Sequence, residues 1–90
     1  PPDDVSAGLG YLAIGLHPNP AQDKASITWA PMSGGAVVTV VDPLGNIVLR
    51  DHLSAERGQY SLDLRRVGRG AYLVVVRIGD VAGSATLVAP

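Results

Sequence analysis

Ala71-Tyr72-Leu73-Val74-Val75-Val76-Arg77-Ile78-Gly79-Asp80-Val81-Ala82-Gly83-Ser84-Ala85-Thr86-Leu87-Val88 is the stretch that decides the fold. Only Gly79-Asp80 separates its two apolar runs. Two-residue connections of this kind close antiparallel hairpins through primed turns, which require φ > 0, and glycine supplies that at no steric cost. The first run is apolar on both faces and rich in Val, as suits a central strand. The spacing predicts a hairpin of Ala71–Ile78 with Val81–Val88.

Working outward, the same punctuation recurs. In Asp42-Pro43-Leu44-Gly45, Pro43 presets φ for a type I turn and Gly45 can take the left-handed position of a bulge. That predicts a second hairpin, Val37–Val41 with Ile47–Leu53, and Gly34-Gly35 marks a third candidate. Lys24 to Trp29 alternates with period two, as does Tyr60 to Leu64, so each reads as a half-buried strand. Leu9 to Leu16 reads as a first strand weakened by Gly10 and Gly15. Ser54-Ala55-Glu56-Arg57 has room for one helical turn before Gly58 ends it, and almost no helix is expected elsewhere. Short apolar runs divided by turn signals every ~8–12 residues indicate an all-β sandwich or barrel. Pro1 to Gly8 is polar and turn-prone, so residues 1–10 are expected to be a linker and 11–90 the folded domain. Without a signal-peptide pattern at Pro1, the chain is expected to be part of a longer polypeptide.

Composition narrows the function. Val, Ile and Leu supply 26 of the 90 residues, enough for one core, and the net charge is only −1. Nothing approaches the ~20 apolar residues of a membrane-spanning helix. No charge block points to nucleic acid or an anionic membrane. The absence of cysteine removes disulfides, thiolate metal sites and thiol nucleophiles.

The catalytic inventory is poor. His17 and His52 sit in different segments, far short of the three or four convergent ligands a transition metal wants, and read as solvated side chains. Asp42, Asp51 and Asp63 lie on or beside strands and could supply a carboxylate pair, but Asp42 reads as the opening residue of its turn and Asp63 as the outward member of its strand. No nucleophile elbow, phosphate loop or dinucleotide fingerprint occurs. Arg65, Arg66 and Arg69 could dock an acidic surface or a phosphorylated lipid headgroup, but read better as a solvated cluster beside acidic side chains. Trp29, Tyr60 and Tyr72 match the inward alternation and are expected in the core rather than on a carbohydrate-binding face. No catalytic, cofactor-binding or metal-ligating residue is therefore assigned, and the chain is not expected to be an enzyme. The final run carries small residues and no charge after Asp80. An uncharged strand at a sheet edge invites pairing, so Ala85, Thr86, Leu87, Val88, Ala89 and Pro90 are the candidate recognition strand.

Four pieces in order carry a resemblance: Pro18-Asn19-Pro20; Val38-Thr39-Val40-Val41-Asp42 with Gly45; Leu62-Asp63-Leu64; and Gly70-Ala71-Tyr72-Leu73-Val74. Together, over roughly residues 16 to 88, they resemble the C-terminal sorting domain of the type IX (Por) secretion system of Bacteroidetes. The resemblance implies an Ig-like antiparallel β-sandwich of about seven strands at the end of a secreted protein. It implies an address label for an upstream cargo, carried through the periplasm and outer membrane by the type IX translocon. Outer-membrane shuttle and sortase components are the implied partners, and the destination is the cell surface or the medium. Cleavage would then fall around Val5 to Gly10. The alternative is an accessory sandwich, a carbohydrate-binding or spacer module of a secreted hydrolase.

Overall fold

A computed structural model of the chain describes residues 10–18 and 23–90. The linker expected over 1–10 therefore lies outside the described residues except for Gly10, and so do Asn19 and Pro20 of the family motif. The strands are β1 (Gly10–Tyr11), β2 (Gly15–His17), β3 (Lys24–Thr28), β4 (Gly35–Val41), β5 (Ile47–Ser54), β6 (Gln59–Asp63), β7 (Gly70–Ile78) and β8 (Val81–Ala89). They form a larger sheet in the order β1-β8-β7-β4-β5 and a smaller one in the order β2-β3-β6. Every pairing is antiparallel except the two-residue β1, which runs parallel to β8. Seven antiparallel strands in two packed layers are the sandwich expected from the sequence. Two 3-10 turns, Ala55–Arg57 and Leu64–Arg66, are the helical content among the described residues.

Both predicted hairpins form where their turn chemistry puts them. Gly79 takes φ +58°, and Ile78 pairs with Val81 directly across the two-residue loop. No non-glycine residue among those described has positive φ, so only the first central position of this turn is left-handed, as a II′ turn requires. In the other hairpin, the Gly45 N–H donates to the Asp42 carbonyl at 2.9 Å and Gly45 sits at φ +90°. The Asp42 N–H then donates to the Asn46 carbonyl at 2.9 Å, giving the expected bulge. A second irregularity follows, because Val40 pairs with Leu49 but Val41 with Ile47.

Alternation decides what enters the core. Ala36, Val38 and Val40 of β4 and Tyr72, Val74, Val76 and Ile78 of β7 point inward from the larger sheet. Ala25, Ile27 and Leu62 meet them from the smaller one. Burying such a side chain contributes about 1.5–3 kcal/mol, and here strand packing alone supplies it.

Two expectations fail. Gly34-Gly35 is not a hairpin: β3 belongs to the smaller sheet and β4 to the larger, so Trp29–Gly34 is a crossing between layers. Tertiary bonds decide this. The indole N–H of buried Trp29 donates to the Ala55 carbonyl at 3.0 Å, and the Ala55 N–H donates to the Gly34 carbonyl at 2.9 Å. Trp29 N–H donates to the Gly58 carbonyl, and Gly58 takes φ +66° where a Cβ would lie 2.8 Å from Pro31. The crossing is thereby welded to the 3-10 turn that carries the chain from β5 to β6. Likewise, Leu9 to Leu16 is not one strand. Its described part divides into β1 on the larger sheet and β2 on the smaller, with Leu12 buried between them.

Candidate functional site

The described motif residues build structure. Leu62 is fully buried and Leu64 nearly so. Asp63 caps the 3-10 turn that follows, its carboxylate accepting the Arg65 N–H at 3.0 Å. The same carboxylate receives the Arg65 guanidinium through Nε and Nη2, both at 3.0 Å. These bonds hold the Asp63 carboxyl at about 2, with the guanidinium bond the largest cause. Arg65 is thus tied up by its neighbour, as expected of a solvated cluster beside acidic side chains.

Gly70 and Tyr72 work as a pair. The Tyr72 hydroxyl reaches the Val67 carbonyl at 2.7 Å and the Arg69 carbonyl at 3.0 Å, stitching the β6–β7 loop onto the core. This resembles the tyrosine corner of Ig-like sandwiches. Gly70 takes φ +137°, and a Cβ there would lie 3.6–3.7 Å from the Tyr72 ring, so conformation rather than space demands glycine. Asp42 accepts from the backbone N–H groups of Leu44 (2.9 Å) and Asn46 (2.8 Å). Its carboxyl is lowered below the usual value, chiefly by the Asn46 N–H. Pro18 is exposed after β2, and the His17–Pro18 peptide is cis.

One polar arrangement was not legible in the sequence. Asp51 faces inward from edge strand β5, and its carboxylate accepts the Tyr60 hydroxyl of β6 at 2.9 Å. It also accepts the backbone N–H, not the ring, of His52 at 3.0 Å. The Tyr60 bond is the main cause that lowers the Asp51 carboxyl, while burial and that same carboxylate raise the Tyr60 phenol. These residues line a groove of about 260 Å³ with Arg57 and Gln59. The arrangement bridges the two sheets at their open side. Among the described residues, no three His, Asp or Glu side chains lie together as metal ligands. No helix among them is long and apolar enough to cross a membrane.

The candidate recognition strand is half core. In β8, Leu87 and Ala89 are buried, whereas Thr86 and Val88 face outward. On that outer face, Thr86, Leu73, Val41 and Ile47 form one row across four strands. Leu73 (43% exposed), Val88 (41%) and Ile47 (53%) present apolar surface there. The smaller sheet's outer face is polar, with Lys24, Ser26, Thr28, Gln59, Ser61 and Asp63. At the end of β8, Ala89 and Pro90 share a groove of about 530 Å³ with Asp23, Leu64, Arg65, Gly68 and Arg69. The tail and the basic cluster, read separately in the sequence, are brought together.

Among the aromatics, Trp29 and Tyr72 are buried, Tyr60 is half-buried, and Tyr11 stands exposed alone. A coplanar aromatic platform is not built.

A family model described as the secretion system C-terminal sorting domain matches residues 15–88. No curated protein matches the chain. The matched stretch opens at the first residue of β2 and closes in β8, so it takes in all seven antiparallel strands. Motifs spent on turns, caps and core are thereby accounted for: the chain belongs to the C-terminal sorting domains of the type IX secretion system.

Proposed function

We propose that this domain is a non-enzymatic address label that sends an upstream cargo protein across the outer membrane through the type IX translocon. Shuttle and sortase components of the outer membrane read it, the cargo reaches the cell surface or the medium, and the label is cut off around Val5 to Gly10. The observation that carries this reading is the family match over residues 15–88. The chemistry agrees with it, because the motif's described polar groups, on Asp42, Asp63 and Tyr72, are bonded to their own turns and loops. Contiguous exposed apolar surface marks interaction sites. The outer face of β8 and β7 supplies such surface, which supports recognition there, at the strand ending Ala85, Thr86, Leu87, Val88, Ala89 and Pro90.

The test is a fusion of residues 1–90 to a periplasmic reporter in a host with a working type IX system. The reporter is expected at the surface or in the medium. Retention in the periplasm refutes the reading. Deleting residues 85–90 is a poor test of recognition, because it also removes the buried Leu87 and Ala89. The second reading, an accessory module, is favoured by no specific observation. In its glycan-binding form it lacks its aromatic platform; as a spacer it predicts a reporter that never leaves the periplasm.

A further inference from the structure

The short β1 sits outside the family match yet is tied tightly to the last strand. Gly10 and Tyr11 pair in parallel with Val81 and Ala82. The Leu12 N–H continues the ladder, donating to the Ala82 carbonyl at 3.0 Å, and its side chain is 4% exposed within the core. This close approach has one requirement. Gly83, buried and at an ordinary φ, faces the Leu12 backbone, and any Cβ built there runs into the Leu12 carbonyl. The Ile14 side chain closes the same gap at 3.3 Å from that position. Small residues in β8, which the sequence presents only as a lack of bulk, therefore leave room for another backbone. The segment entering from the cargo side thus ends in a clasp on the terminal strand.

We propose that this clasp sets the C-terminal limit of processing: while Gly10–Leu12 is seated over Gly83, peptide bonds from Gly10 to Ile14 are not hydrolysed, and scission is confined upstream of Gly10. Its place in secretion rests on the sorting reading above, but the clasp itself does not. Proteases take substrate as an extended strand with its backbone groups free, and bonds already paired must first be released. Water cleaves one C–N bond, leaving a carboxylate on the cargo side and an amine on the label. A cut upstream of Gly10 leaves Leu12 with the label, which keeps its core after release. A cut after Leu12 or Ala13 would strip Leu12 from it.

The test is limited digestion of the full 90-residue chain with subtilisin, reading the first residue of the resistant fragment by mass spectrometry. The unaltered chain is expected to give fragments starting at or before Gly10; a start within 11–14 overturns the proposal. Gly83→Ala, which adds only the offending Cβ, is expected to move the start to residue 12 or beyond. An unchanged start in that folded variant also overturns it. If Gly83→Ala leaves no resistant fragment, Leu12→Ser, which weakens the clasp without touching β8, takes its place with the same two outcomes. Amide exchange on the unaltered chain gives an independent reading. The Leu12 amide is expected to exchange at least on the order of 100-fold more slowly than in an unstructured chain. Exchange at the unstructured rate would mean that the clasp stands open. Failure here with a reporter still exported would leave the sorting function standing and remove only the clasp.

Discussion

The two sides of the larger sheet are guarded by opposite means, and to different extents. Edge strand β5 protects itself. It carries Arg50, Asp51 and His52, it is bulged near Val41, and Asp51 turns inward to hold both the Tyr60 hydroxyl and the His52 backbone N–H. Charges, bulges and inward-pointing carboxylates are what keep an exposed edge from pairing with another chain. On the other side, β8 has no charged residue at all, and its first residues are covered by β1, a separate segment of the same chain. One edge is guarded by side-chain chemistry built into the strand, and the other is paired over Val81 and Ala82 by a strand from earlier in the chain.

The comparison is broken most severely at Leu12. Leu12→Ala removes a nearly fully buried side chain and is expected to cost about 2–5 kcal/mol in urea unfolding, with loss of Leu12 amide protection. A change below about 0.5 kcal/mol would mean that β1 contributes nothing to the closure of β8. At the opposite edge, Tyr60→Phe deletes one part-buried hydroxyl and leaves the packing, so it is expected to lower Tm by no more than about 4–8 °C. A larger fall would show that the Asp51 bridge carries as much of the fold as the clasp does.

The smallest effect is acid sensitivity. Asp51 and Asp63 both have folded-state carboxyls below the ordinary 3.8, that of Asp63 at about 2. Lowered carboxyls stabilise the fold fully above the ordinary value, and that contribution is lost as pH falls through the folded value. Stability is therefore expected to decline from about pH 4 toward pH 2, and only modestly, because both residues remain partly exposed and their charges are screened. In Tyr60→Phe, carboxyl NMR titration is expected to move Asp51 back toward 3.8 while Asp63 stays near 2. An unmoved Asp51 would show that the tyrosine is not the main cause of its shift.

What was legible in the sequence depended on distance along the chain. Gly79-Asp80 and Asp42-Pro43-Leu44-Gly45 each contain the whole cause of their turn, so both hairpins, and with them the all-β class, could be read residue by residue. The crossing at Gly34 could not. Its cause lies in Trp29 meeting Ala55, and in Gly58 yielding to Pro31, residues 26 and 27 positions apart. Leu9 to Leu16 carries a strand-like pattern, and nothing within it says that Leu12 must change layers over Gly83. The Asp51–Tyr60 bridge joins adjacent strands that lie in different sheets, which alternation alone does not reveal. The motif residues were found by their order, while their roles, Asp63 as a cap and Tyr72 as a stitch, became visible only with the loops they hold.

The central claim, that the label is read on the β8 side, meets its most direct test in the export of the reporter fusion carrying Ser84→Asp, Thr86→Asp and Val88→Asp. All three side chains face outward, so an unchanged circular dichroism spectrum can certify that the variant is folded. A matched variant with Arg50→Asp and His52→Asp charges the β5 side instead. The account predicts that the folded β8 variant leaves the reporter in the periplasm while the β5 variant is exported like the unaltered domain. Normal export of the folded β8 variant would contradict it.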